Sequence, residues 1–165
     1  MNVGPQFVPS PQFESVIGDA RNLSQYADGT FDVVFSNSVI EHLGPDKLDL
    51  ARMASEVMRV GKRYFVQTPN KYFPLEPHFL FPGFQFLPLG VRTWLVSHYD
   101  VGWYKRIPDP ALARAEVERI LLLSERELRK MFPECSIYRE YILGLPKSFV
   151  AHSGWPGQPL SRDNS

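Results

Sequence analysis

The sequence predicts an α/β fold built on a parallel sheet, and three observations carry the prediction. Two short apolar runs each end in polar residues: Val16-Ile17-Gly18 before Asp19-Ala20-Arg21-Asn22, and Phe31-Asp32-Val33-Val34-Phe35 before Ser36-Asn37-Ser38. Residues 45–60 repeat Leu50, Met53, Ala54, Val57 and Met58 at helical spacing, the pattern of a helix with one buried face. A third apolar run over residues 63–68 stops at Pro69, which has no N–H to give a ladder. Strand, helix and strand in that order form a crossover unit, nearly always right-handed. Open sheets of this kind bind ligands beyond the carboxyl ends of their strands.

Residues 1–14 carry three prolines and little periodicity, and are expected to form an extended arm. Residues 16–18 then form a short strand, and Asp28-Gly29 supplies turn chemistry in the connection over residues 23–30. Residues 31–36 form the second strand, whose Val-Val-Phe centre suits burial on both faces of a parallel sheet. In the helix that follows, Pro45 suits the first position and Gly61 the carboxyl cap.

Residues 70–110 are crowded with prolines and with aromatic residues from Phe73 to Tyr104, and read as an insertion over the mouth of the site. A helix is expected over residues 111–123, with Val117, Ile120 and Leu121 inward. Ser124 with Glu127 is a capping box and Leu123 with Leu128 a hydrophobic staple, so a fresh helix starts at Glu125 and ends near Phe132. Residues 136–142 and 147–151 close the sheet as an antiparallel hairpin across Gly144-Leu145-Pro146. The organisation expected is an arm over 1–14, one partial α/β domain over 15–152 with a lid or insertion at 70–123, and a flexible tail over 153–165.

Bulk properties narrow the class. A chain of 165 residues holds one core. Its 18 basic residues balance 18 acidic ones, so the net field that draws proteins to nucleic acid is missing, and no nucleic-acid partner is expected. The single Cys135 makes no internal disulfide, no signal-peptide pattern opens the chain, and no apolar run approaches the ~20 residues of a transmembrane segment. A cytoplasmic location is expected.

The turn Gly18-Asp19-Ala20 and the run Phe31-Asp32-Val33-Val34-Phe35-Ser36-Asn37, continued by Glu41-His42-Leu43, are distinctive together. With the Thr68-Pro69-Asn70 exit and the Leu122-Leu123-Ser124-Glu125-Arg126-Glu127-Leu128 approach, they resemble a class I S-adenosylmethionine-dependent methyltransferase over residues 15–152. The resemblance implies a Rossmann-like methyltransferase sheet, S-adenosylmethionine as cofactor, and a small-molecule or lipid-like methyl acceptor. It also implies a first strand, a glycine-rich turn and a second strand with a ribose-binding acid. Only about fifteen residues precede Val16, against the ~30 of a crossover unit. The expectation is therefore a sheet incomplete at its amino-terminal side, in a truncated enzyme with impaired cofactor binding. The alternative is a non-catalytic remnant serving as a binding or interaction module.

By the resemblance, Asp19 accepts a hydrogen bond from the adenine amino group and the Ala20 N–H donates to the ring; read locally, Asp19 caps a turn. Ser36, Asn37 and Ser38 either hold the cofactor's cationic amine or are ordinary loop polarity. Glu41 and His42 are adjacent, so on a helix they would point about 100° apart and only one would face the site. His42 is the candidate base, or a partly buried structural histidine. Asn70, Tyr72, Glu76 and His78 follow Pro69 at the sheet's entrance and are the substrate-side candidates, or loop anchors. No further His or Cys is spaced to complete a ligand set with Glu76 and His78, so no metal is expected. The aromatic residues from Phe79 to Trp103 form an auxiliary core or a surface for an apolar acceptor. Finally, the connection between residues 18 and 31 is short for a parallel crossover. The first strand would lack a neighbour, and the apolar edge of strand 31–36 invites pairing with a second copy of the chain.

Overall fold

The computed structural model describes residues 14–155; all but the last residue of the expected arm over 1–14, and most of the expected tail over 153–165, lie outside the described residues. The elements are β1 (Val34–Asn37), a 3-10 turn (Ile40–His42), α1 (Lys47–Val60), β2 (Tyr64–Pro69), β3 (Leu75–Glu76) and β4 (Phe81–Pro82). A second 3-10 turn (Phe84–Phe86), α2 (Leu89–His98), α3 (Pro110–Arg119), α4 (Glu125–Met131), β5 (Ser136–Ile142) and β6 (Leu145–Ser153) follow. The protein is a mixed α/β molecule. β1 and β2 pair in parallel, and the hairpin β5–β6 joins them antiparallel in the order β1-β2-β6-β5.

α1 starts where Asp46 accepts the Leu48 N–H at 2.8 Å, so Pro45 precedes the cap rather than occupying the first helical position. Its inward stripe is Leu50, Met53, Ala54, Val57 and Val60. Leu50, Met53, Ala54 and Val57 share one core with Tyr64 and Val66 of β2 and with Leu128, Phe132, Phe149 and Ala151, each large one contributing ~1.5–3 kcal/mol by leaving water. Gly61 ends the helix because the chain turns hard against β1: a Cβ there would lie 2.7 Å from Val34 Cγ2. The Ser124–Glu127 capping box forms as expected and opens α4, with Leu123 and Leu128 in the same core. Leu143 and Gly144 both take positive φ, 50° and 77°, the conformation of a type I′ hairpin turn; the turn is therefore Leu143-Gly144, and Leu145 and Pro146, expected in the turn, already pair in β6.

Within the strand expected over residues 16–18, Ile17 is a β-bridge residue, and the chain then enters a tight turn in which the Asn22 N–H donates to the Asp19 carbonyl at 3.0 Å. Three expectations are corrected. β1 is not buried on both faces: α1 covers one, and Phe35 on the other is 68% exposed, stacked only on Phe65. The helix expected over 111–123 stops at Arg119. Ile120 leaves helical geometry because the next residues bond elsewhere: the Leu121 N–H donates to the Glu41 carbonyl at 2.8 Å and the Leu123 carbonyl accepts the Lys71 N–H at 3.0 Å. The insertion also contains α2, which weak amphipathicity and flanking prolines hid from the sequence.

That insertion closes on itself. Phe79, Phe84, Val96, Val101, Ala113 and Val117 form a second apolar cluster, with the Phe79 ring stacked on Phe84 at 4.2 Å and on Tyr104 at 4.7 Å. Gly102, at φ +57°, lies against the Phe79 backbone so closely that a Cβ would sit 2.3 Å from its carbonyl carbon.

Candidate functional site

The polar residues at the carboxyl ends of β1 and β2 fall into separate groups. At the exit of β1, Ala20, Ser36 and Asn37 line one cavity of about 460 Å³, walled by Phe31, Val39 and Met53 among others. Ser36 Oγ is buried there without a hydrogen-bond partner. Ser38 turns away in left-handed backbone, φ 51°, and donates from both N–H and Oγ to Gln67 Oε1 at 3.1 and 2.9 Å.

Asp19 lies apart. Its Oδ1 accepts the Arg21 N–H and Nε–H, both at 2.9 Å, and its Oδ2 the Arg21 Nη2–H at 2.7 Å, while Arg21 also reaches Asp49 at 2.7 Å. The side-chain and then the backbone hydrogen bonds from Arg21 hold its carboxyl below the usual range. Its neighbours on the surface are Arg21, Asn22, Asp49 and Arg52, not the lining of the Ala20 cavity.

The third group is the tightest. The 3-10 turn after β1 carries Glu41 and His42 and the loop after β3 carries His78; one ligand atom from each of the three lies within 4.8 Å of the others. Glu41 is fully buried; its Oε2 accepts the Thr68 hydroxyl at 3.0 Å and its Oε1 has no partner. Burial pushes the Glu41 carboxyl up, against the pull of its hydrogen bonds. The Nε2 atoms of His42 and His78 are 3.1 Å apart, and His78 Nδ1 lies 2.7 Å from Glu76 Oε1. Glu76 is fixed in turn, its Oε2 accepting the N–H groups of His78 and Phe79 at 2.8 and 2.6 Å. Burial, and then the neighbouring His78, push the His42 pKa down. The sequence reading that only one of Glu41 and His42 could face a common site is therefore corrected. The residues sit on a single tight turn with long side chains, and Thr68 and His78 approach it from different directions.

Of the substrate-side candidates, Glu76 and His78 join His42. Asn70 is a structural joint: its Nδ2 donates to the Pro146 carbonyl at 2.6 Å and its Oδ1 accepts the Tyr72 N–H at 2.9 Å. Tyr72 is 63% exposed, stacked on Phe86. Glu76 also borders a cavity of about 200 Å³ whose walls include Phe79, Phe84, Gln85 and Arg92. Gln85 Oε1 and Arg92 Nε are buried there without partners. Sequence reasoning missed Thr68, Gln85 and Arg92 as site residues. Only the Thr-Pro strand exit pointed to Thr68, and no local signal marks the other two.

Residues 3–66 match the methyltransferase domain family. Over 55 residues the chain is 46% identical to two uncharacterized proteins of Mycobacterium tuberculosis, one from each of two strains. The alignment covers 33% of this chain and 18% of each relative, so the chain matches less than a fifth of their length. A solved structure of a SAM-dependent methyltransferase from Methanosarcina mazei is similar with a TM-score of 0.44 and 16% identity, covering 83% of this chain and 64% of that one. No described helix is long and apolar enough to cross a membrane. The segment that matches the methyltransferase-domain family, residues 3–66, holds both the Gly18-Asp19-Ala20 turn and the β1 motif.

Proposed function

We propose that the protein transfers a methyl group from S-adenosylmethionine to a small-molecule or lipid-like acceptor. The observation that carries this reading is the cavity at the carboxyl end of β1, where Ala20, Ser36 and Asn37 meet inside the segment that matches the family. Ser36 Oγ, buried and unpartnered, is suited to a polar ligand group. These three residues would hold the cofactor; Asp19, its oxygens filled by Arg21, does not fit that role. S-adenosylmethionine supplies an electrophilic methyl group when bound, and most of the rate then comes from alignment. For the acceptor, the cavity under the insertion offers the apolar walls of Phe79 and Phe84 with Gln85 and Arg92 as its polar groups. His42, the candidate base, does not line that cavity; it meets His78, whose Nδ1 lies against Glu76 of the cavity wall. The sequence contains no glycine-rich turn for close approach to the cofactor's ribose and methionine, so the affinity of this chain by itself is weak.

Calorimetric titration with S-adenosylmethionine tests the reading. The expected result is binding weaker than micromolar that Ser36→Val and Asn37→Ala weaken further and Asp19→Ala leaves unchanged. No heat at millimolar cofactor would overturn it in favour of a non-catalytic interaction module. The exposed Phe35 on β1 and Val33 just before it favour that second reading, since an apolar edge invites another chain; light scattering would then find a dimer.

A further inference from the structure

We propose that Glu41, His42 and His78 form a binding site for one divalent first-row transition metal ion of the zinc class. The three donors come from two elements far apart in sequence, the turn after β1 and the loop after β3, and their ligand atoms already lie within 4.8 Å of one another. Two imidazole nitrogens and a carboxylate are a donor set that suits zinc, cobalt, nickel or ferrous ions. Around a tetrahedral ion with bonds of ~2.0–2.1 Å, neighbouring nitrogens stand about 3.3 Å apart. The two Nε2 atoms stand 3.1 Å apart.

The surroundings of His78 and Glu41 are those of a metal centre, while His42 Nδ1 is buried without a hydrogen-bond partner. With Glu76 ionised, its bond to His78 Nδ1 keeps the proton on that nitrogen and leaves the His78 Nε2 lone pair aimed at His42. A carboxylate behind a histidine in this way orients metal ligands and raises their basicity. Glu76 is itself locked by two backbone N–H groups. Glu41 has no exposure to water, and one of its oxygens lacks any partner. A buried carboxylate left half-satisfied is costly, and a cation between the three side chains gives it the partner it lacks. Arg119, whose charge reaches His42, is neutralised by Glu116 at 2.5 Å. Three protein ligands leave a fourth position open to water or to an acceptor hydroxyl or thiol. The competing reading is a hydrogen-bonded histidine pair with no metal.

The inference does not depend on cofactor binding, and its test uses none. Cobalt(II) titrated into the purified full chain, freed of metal, should bind at one ion per chain with visible absorption bands, and zinc should displace it. His42→Gln and His78→Gln should each abolish the bands while far-ultraviolet circular dichroism stays unchanged. Glu76→Gln, which removes only the orienting charge, should weaken binding by about 10–100-fold. If the histidine variants do not fold, the unaltered chain still decides. Of its four histidines, zinc must shift the ring ¹⁵N resonances of His42 and His78 and leave His98 and His152 in place. Absence of a one-to-one complex, or shifts confined to His98 and His152, would overturn the site.

Discussion

The described residues form two apolar cores, and they close over very different lengths of chain. The sheet core draws members from Ile40 to Ala151, whereas the core of the insertion draws all of its buried members from between Phe79 and Val117. One is assembled globally, the other locally. The candidate site spans the seam: Glu41, His42 and Thr68 belong to the sheet, Glu76 and His78 to the insertion. Loosening the insertion should therefore open the site without unfolding the sheet.

The largest expected effect tests that division. Phe79→Ala should cost the insertion about 3–5 kcal/mol, and Leu50→Ala the sheet about 2–5 kcal/mol. Trp94 and Trp103 lie in the insertion and Trp155 lies against Arg63, so in a Trp155→Phe background fluorescence reports on the insertion while circular dichroism reads the whole chain. In Phe79→Ala the fluorescence transition in urea should come first; in Leu50→Ala the two should coincide. Coincident transitions in both variants would break the comparison.

A smaller change sharpens it. Gly102→Ala forces a Cβ onto the Phe79 carbonyl and strains a left-handed position, at about 1–3 kcal/mol. The destabilisation should again appear first in tryptophan fluorescence.

The smallest effect belongs to the sheet side. Burial raises the Glu127 pKa, but the hydrogen bonds from Lys47, at 2.5 Å, and from Ser124 outweigh it and hold the carboxyl at about 2. A depressed acid stabilises the fold above its unfolded value of about 4.3 and loses that contribution as pH falls toward 2. Ser124→Ala should cost about 1 kcal/mol at neutral pH and flatten the acid dependence of the melting temperature between pH 5 and 2. An unchanged acid limb would show that Lys47 holds Glu127 unaided.

Legibility followed the same division. α1, β2, the capping box and the hairpin were readable because caps, apolar stripes and turn residues act over a few positions. The end of α3 was not, because a long-range bond decides it: the Glu41 carbonyl pulls Leu121 out of the helix, and no residue near Leu121 announces it. At the site, His42, Glu76 and His78 could be chosen individually from the sequence, but 36 residues separate His42 from His78. Their meeting depends on the insertion core, whose aromatic residues carry no periodic signal. Asp19 shows the converse: a motif position whose carboxylate is filled by a partner two residues away.

The place of β6 has a consequence for how the chain is made. It follows every other described element in sequence yet lies inside the sheet, pairing with β2 from Tyr64↔Ser153 to Pro69↔Ser148 and with β5 along its other side. During synthesis, β1, α1 and β2 emerge with one flank of β2 bare, and they stay so until residues 145–153 arrive. Long-range pairing of that kind is slow to form and leaves strand edges open to other chains meanwhile. The interval between the synthesis of β2 and that of β6 is thus when the nascent chain is most open to misassociation, and a ribosome pause there would prolong that exposure.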